Sequence, residues 1–182
     1  MDSVAAYLRP LYQDLDGVSR TDDVERIARI ARRLYDAADD RDFELLLAFH
    51  RLGNWLEKVG NLTRTALATG IAEGELHRVA ASIRRLDQPR SDAECAVAAA
   101  TIIDAAGVRG LAERLTRARR EGMTIADVAR AEMREVEVPE WFSAEARTML
   151  LERVEARREV CQRILSEGLL PARGEKVPRS GG

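Results

Sequence analysis

A histidine and an arginine stand side by side in an otherwise apolar run, Leu45-Leu46-Leu47-Ala48-Phe49-His50-Arg51-Leu52-Gly53-Asn54-Trp55. An imidazole can take or give a proton near neutral pH, and a guanidinium grips carboxylate or phosphate through paired N–H bonds. A hydrophobic core would prefer neither group unless each found a partner, so the pair marks a candidate pocket for an anionic small molecule. Each residue also has a plainer reading. A histidine among leucines can simply be hydrogen-bonded in the core. Asp23, beside Asp22, suits a helix cap, and Asp104, three residues before Gly107, can bond backbone at a helix end. Trp55 and Trp141 read as core or pocket walls, because large rings seldom stay exposed. His77 lies among charged neighbours on a predicted helix and reads as a surface residue. There is no GxGxxG, P-loop, GxSxG or zinc-type spacing.

Composition narrows the classes available. With 182 residues, 46% hydrophobic and 33% charged, the chain can bury a core without disulfides or a structural zinc. The net charge of −2 supplies no basic field to hold a nucleic-acid backbone. Arg117, Arg119 and Arg120 form a local basic cluster that, without interleaved aromatics, reads as a solvated face. All but two of the 29 basic residues are arginine, the exceptions being Lys58 and Lys176. That bias reflects codon usage first, so an isolated arginine carries little functional weight. Cys95 and Cys161 are far apart and belong to no CxxC or Cys/His cluster, which fits a reducing compartment. The opening MDSVAAYLRPLYQDLD has no signal-peptide pattern, and no stretch approaches a membrane span, so a cytoplasmic protein is expected.

The elements that must position these groups are helices. Apolar residues recur at helical spacing and no period-2 alternation appears, which predicts an all-α chain. Helices are expected over 4–15, ending at Asp16-Gly17; 24–38, capped by Thr21 or Asp22; 43–52; 55–69, ending at Gly70; and 73–86. Ser91 with Glu94 forms a capping box for a run through Asp104 that Gly107 ends. Further helices cover 111–120, a short segment capped by Thr124, and a long stretch from Ser143 to Gly168. Residues 1–168 are expected to form one compact domain. The segment 169–182 is rich in Pro, Gly and charge and is expected to be disordered.

Four segments, read in order, resemble the HD superfamily of helical metal-dependent phosphohydrolases, in particular its small stand-alone bacterial members. Asp22-Asp23-Val24-Glu25-Arg26-Ile27 is similar to that family's opening HVERV helix, with Asp23 where the first histidine ligand belongs. The leucine run is similar to the signature LLAALLHDIGDW, in which adjacent His and Asp bind metal. His50 is kept and Arg51 replaces the aspartate. The segment from Gly70 to Asp87 resembles GVPEEEIERVVEAIRRHS, with Leu86 in place of the late histidine. Ala96 to Gly110 resembles VxDADRLDALGAIGIAR, with Ala99 at the metal-binding aspartate while Asp104 and Gly107 match. The helix 145–167 resembles the subfamily's closing helix.

The resemblance implies an HD-type helical domain that has lost most of its metal ligands. A hydrolytic ion needs several fixed imidazoles and carboxylates. Ala99 and Leu86 offer none, and Arg51 would set a permanent cation beside the ion. At ~4 Å and an effective dielectric near 20 a unit charge pair is worth roughly 4 kcal/mol, doubled for a divalent ion. No metal and no cofactor are therefore expected, and a rebuilt site from Asp22, Asp23, His50 and Glu57 is the least favoured alternative. The favoured reading reuses the pocket for metal-free acid–base chemistry on, or binding of, a small anion. His50 would be acid or base, Asp23 its orienting partner, Arg51 the anion holder, and Asp104 and Trp55 lining residues. A second reading is a non-catalytic module that binds a protein, with Arg51 paired to Asp23 or Asp104 in the emptied metal site. Neither nucleic acid nor membrane is an expected partner. A homodimer through the apolar faces of the terminal helices is open.

Overall fold

The structure, a computed structural model, describes residues 2–13, 21–36 and 40–167. The predicted break at Asp16-Gly17, the helix end at Gly168 and the tail 169–182 lie outside these residues. Ten α-helices and no strand occur among the described residues: α1 Asp2–Gln13, α2 Thr21–Leu34, α3 Arg41–Phe49, α4 Gly53–Leu56, α5 Asn61–Thr69, α6 Glu73–Arg84, α7 Asp92–Ala106, α8 Val108–Arg120, α9 Ile125–Glu132 and α10 Ala144–Ser166. The chain is all-α. No single helix among the described residues is long and apolar enough to cross a membrane.

Local chemistry accounts for four of the helix starts. The Asp40 carboxylate accepts from Phe43 N–H at 3.0 Å and starts α3, Thr124 accepts from Asp127 N–H at 3.1 Å and starts α9, and Ser143 accepts from Ala146 N–H at 3.1 Å ahead of α10. Ser91 caps α7 by accepting from Glu94 N–H at 3.2 Å, but Glu94 does not return the bond to Ser91. Its carboxylate accepts instead from Arg90 N–H at 2.8 Å and from the Arg85 guanidinium at 2.5 Å. Burial alone would raise this carboxyl, but the bonds from Arg90, Ser82 and Arg85 outweigh it and hold Glu94 below its ordinary range. Gly122 adopts φ 76° two residues past α8, where only glycine sits without strain.

One predicted helix is two. The apolar spacing of Trp55, Leu56, Leu62 and Ala66 predicts continuity over 55–69, yet the chain leaves α4 at Leu56 and re-enters a helix at Asn61. Gly60 at φ 80° turns the backbone, and the buried Asn61 amide donates to the Trp55 carbonyl at 2.7 Å. The Trp55 carbonyl, which a continuous helix would bond to the fourth residue on, is here shared between Lys58 N–H at 3.2 Å and the Asn61 amide.

The described residues divide into two compact units, one of those up to 104 together with 139–149 and the other of 105–138 together with 150–167. The first unit holds the candidate site. Its core joins Val4, Leu8 and Tyr12 of α1 to Leu45 and Phe49 of α3, Leu52, Leu56, and Leu76 and Val79 of α6. Each such Leu or Phe contributes about 1.5–3 kcal/mol by leaving water. In the second unit Leu111, Ala118, Val128, Ala129 and Cys161 form a smaller core. Gly110 there sits so close to the Ala105 carbonyl that an added Cβ would lie 1.9 Å from its oxygen.

Candidate functional site

His50 closes the C-terminal end of α3, in right-handed helical backbone and 7% exposed. A helix end leaves carbonyls without intrahelical partners, and here three side-chain or backbone groups meet them. The His50 Nδ1 lies 2.7 Å from the Leu47 carbonyl, which can only accept, so Nδ1 carries the proton. The Tyr12 hydroxyl donates to the Ala48 carbonyl at 2.6 Å, and Leu52 N–H donates to Phe49 at 2.7 Å. The aliphatic run therefore ends in a fixed corner, with the imidazole as one of its caps.

That bond sets the remaining chemistry. With Nδ1–H spent on Leu47, Nε2 presents a lone pair, and it is buried with no hydrogen-bond partner. Burial, aided by the Arg51 charge and opposed by the Leu47 carbonyl, brings the imidazole down to about 4, so the ring is neutral at pH 7. The neighbouring Arg51 also has a buried Nε without a partner. Arg51 stands near Tyr12 as well, whose phenol is raised by burial against the opposing Arg51 N–H and charge. A neutral acceptor and one guanidinium nitrogen of a half-buried arginine are thus both without a hydrogen-bond partner at one helix end; of the two, the imidazole is the less usual, since the Nε atoms of Arg85, Arg114, Arg157 and Arg158 lack such a partner as well.

The carboxylates are arranged differently from expectation. Asp23, only 2% exposed, does not orient His50, since one ring nitrogen is bonded to Leu47 and the other has no partner. The guanidinium that joins Asp23 to Asp104 belongs to Arg26, not Arg51. Arg26 Nη2 donates to Asp23 at 2.8 Å, while Nε and Nη2 donate to the two oxygens of Asp104 at 2.7 and 2.9 Å. The bidentate bond to Asp104, then the bond to Asp23, outweigh desolvation and hold the Arg26 charge firmly. Arg26 is one helical turn from Asp23, so the local pair forms within α2 and reaches across to α7.

Trp55 packs edge-on to Tyr7 with ring centroids 6.4 Å apart and lies, partly buried, against the core of the first unit. His77 is exposed on α6, and Ala99 is buried on α7. Among the described residues no three His, Cys, Asp or Glu side chains gather closely enough to hold a metal ion, so the alternative set of Asp22, Asp23, His50 and Glu57 does not assemble. The donor set does not fit a hydrolytic metal: the two acids that could contribute are already neutralised by a guanidinium.

Sequence reasoning missed Arg26 although its i,i+3 spacing from Asp23 was visible. It also missed Tyr12, whose link to α3 runs through a backbone carbonyl. The chain matches no family model, no curated protein and no solved structure.

Proposed function

We propose that this chain is a metal-free relative of the HD phosphohydrolases that binds, rather than hydrolyses, a small anion carrying a hydroxyl or N–H donor, at the end of α3. The observation that carries the reading is the pair of buried, unpartnered atoms His50 Nε2 and Arg51 Nε. The lone pair on Nε2 would accept the ligand's donor, and Arg51 would meet its carboxylate or phosphate. Binding is favoured over proton transfer because an imidazole at about 4 lies well below the pH at which it would exchange protons with a substrate, and because Asp23 is engaged by Arg26. The Arg26 bridge supports the loss of the metal: it supplies the positive charge that two acids would otherwise seek from an ion.

The test is calorimetric titration of the full chain with glycerol 1-phosphate and with lactate, each an anion bearing a hydroxyl. At least one is expected to bind, with affinity falling about tenfold or more in Arg51→Ala and in His50→Phe while the helical circular dichroism is kept. Binding unaffected by both changes, or no binding of either anion, would refute the reading. A second reading, an interaction module, is favoured by Val59 and Leu67, two large apolar side chains that stand almost wholly in solvent. It predicts partner capture that survives both substitutions.

A further inference from the structure

A cavity of about 340 Å³ lies within the first unit and is lined by neither His50 nor Arg51. Three of the chain's eight aromatic rings line it: Tyr35 just past α2, and Trp141 and Phe142 ahead of α10. The Trp141 and Phe142 rings are 4.8 Å apart and tilted by 54°, so neither covers the whole face of the other. Opposite them α7 offers the small side chains Ala96 and Ala99, which leave room, and the polar groups Asp92 and Cys95. Asp92 is exposed in the first turn of α7 and takes part in none of the ion pairs among the described residues. Burial, with the carboxylates of Asp92 and Glu94, raises the Cys95 thiol, and the bond to Asp40, with burial and the charges of Asp40 and Asp92, raises the Tyr35 hydroxyl. The volume falls in the range of small-ligand sites. Aromatic faces attract cations through the ring quadrupole, most strongly where water is excluded.

We propose that this cavity binds a small organic cation, a quaternary or alkylated ammonium, with Tyr35, Trp141 and Phe142 as its walls and Asp92 as its counter-charge. The Asp92 carboxylate, without an ion pair among the described residues, disfavours anions, so this ligand differs in class from the one proposed at Arg51. Small alanines in place of bulky residues on α7 give the alkyl groups room to sit against the rings.

The experiment is titration of the full chain with choline and with its neutral, isosteric carbon analogue 3,3-dimethylbutan-1-ol. Choline is expected to bind roughly tenfold more tightly than the analogue, and Asp92→Asn to remove most of that difference. Asp92 is at the surface, so this variant should fold even if Trp141→Ala does not. Cys95 provides a second readout. Its thiolate attacks a methanethiosulfonate, forming a mixed disulfide and releasing methanesulfinate, while Cys161 is fully buried. The trimethylammonioethyl reagent should label Cys95 about tenfold faster than the sulfonatoethyl reagent after correction for their rates with free cysteine, and choline should slow the labelling. Equal binding of choline and the analogue, or binding of neither, would overturn the proposal. Sedimentation of the chain with phosphatidylcholine vesicles would overturn the assignment to a free cation, since Asp92 should repel the headgroup phosphate.

Discussion

Lowering the pH should unfold this protein partly through a single imidazole. His50 binds its proton near pH 6.5 when unfolded and only near 4 when folded, so between these values the unfolded chain binds more protons and stability falls as pH falls. The contribution is complete above about pH 6.5 and fully lost below about pH 4. A displacement from 6.5 to about 4 corresponds to about 3 kcal/mol in total, of which about 2 kcal/mol is lost between pH 7 and pH 4.5. Glu94 and other carboxylates also respond to acid, so the comparison must be differential. Urea unfolding of the wild type and of His50→Gln at pH 7, 6, 5 and 4.5 isolates the term, because glutamine can keep a bond to the Leu47 carbonyl but does not titrate. The wild-type free energy should fall by about 2 kcal/mol more than the variant's over that range. Parallel pH profiles would refute the neutral, buried state of His50, and with it the lone pair on Nε2. Proton NMR offers a direct check: of the two histidine rings, the one lost in His50→Gln should show no titration down to about pH 5.

Other substitutions probe the remaining supports. Arg26→Ala leaves the buried Asp23 and the bidentate Asp104 without their shared cation and should cost about 3 kcal/mol in chemical denaturation; a cost below about 1 kcal/mol would show that the bridge is not formed in solution. Gly110→Ala drives a Cβ into the Ala105 carbonyl and should destabilise by more than about 3 kcal/mol, lowering the melting temperature by several degrees; a neutral outcome would contradict the close approach there. Glu94→Gln weakens the bonds from Arg85 and Arg90 and should cost about 1–2 kcal/mol at pH 7, with the deficit shrinking in acid as the wild-type carboxylate protonates.

Helix starts were legible at Thr124, Ser143 and Ser91, where a capping side chain precedes a clear apolar run, but the Asp40 cap that starts α3 at Arg41 was passed over because the apolar run begins only at Phe43. The turn at Lys58–Gly60 was not legible, because Trp55, Leu56, Leu62 and Ala66 keep helical period across it, and only the Asn61 bond to a backbone carbonyl reveals the break. The same limit applies at the candidate site. Type and context single out His50, but the group that fixes its tautomer is the Leu47 carbonyl, which every residue type supplies alike. Among 27 arginines, sequence gave no means to prefer Arg26 over Arg51 as the partner of Asp104, 78 residues away. Tyr35 and Trp141, brought to one cavity from distant segments, share no spacing that could announce it.

Two acids bridged by Arg26 and an imidazole held by a backbone carbonyl assemble no metal-binding cluster among the described residues, and a chain that carries no hydrolytic metal is the central expectation. Elemental analysis of the purified chain tests it most directly, combined with melting-temperature titrations against manganese, nickel, iron and magnesium. No stoichiometric metal and no rise in melting temperature with any of the four are expected; one ion per chain, or a rise of several degrees with one of them, would contradict the account.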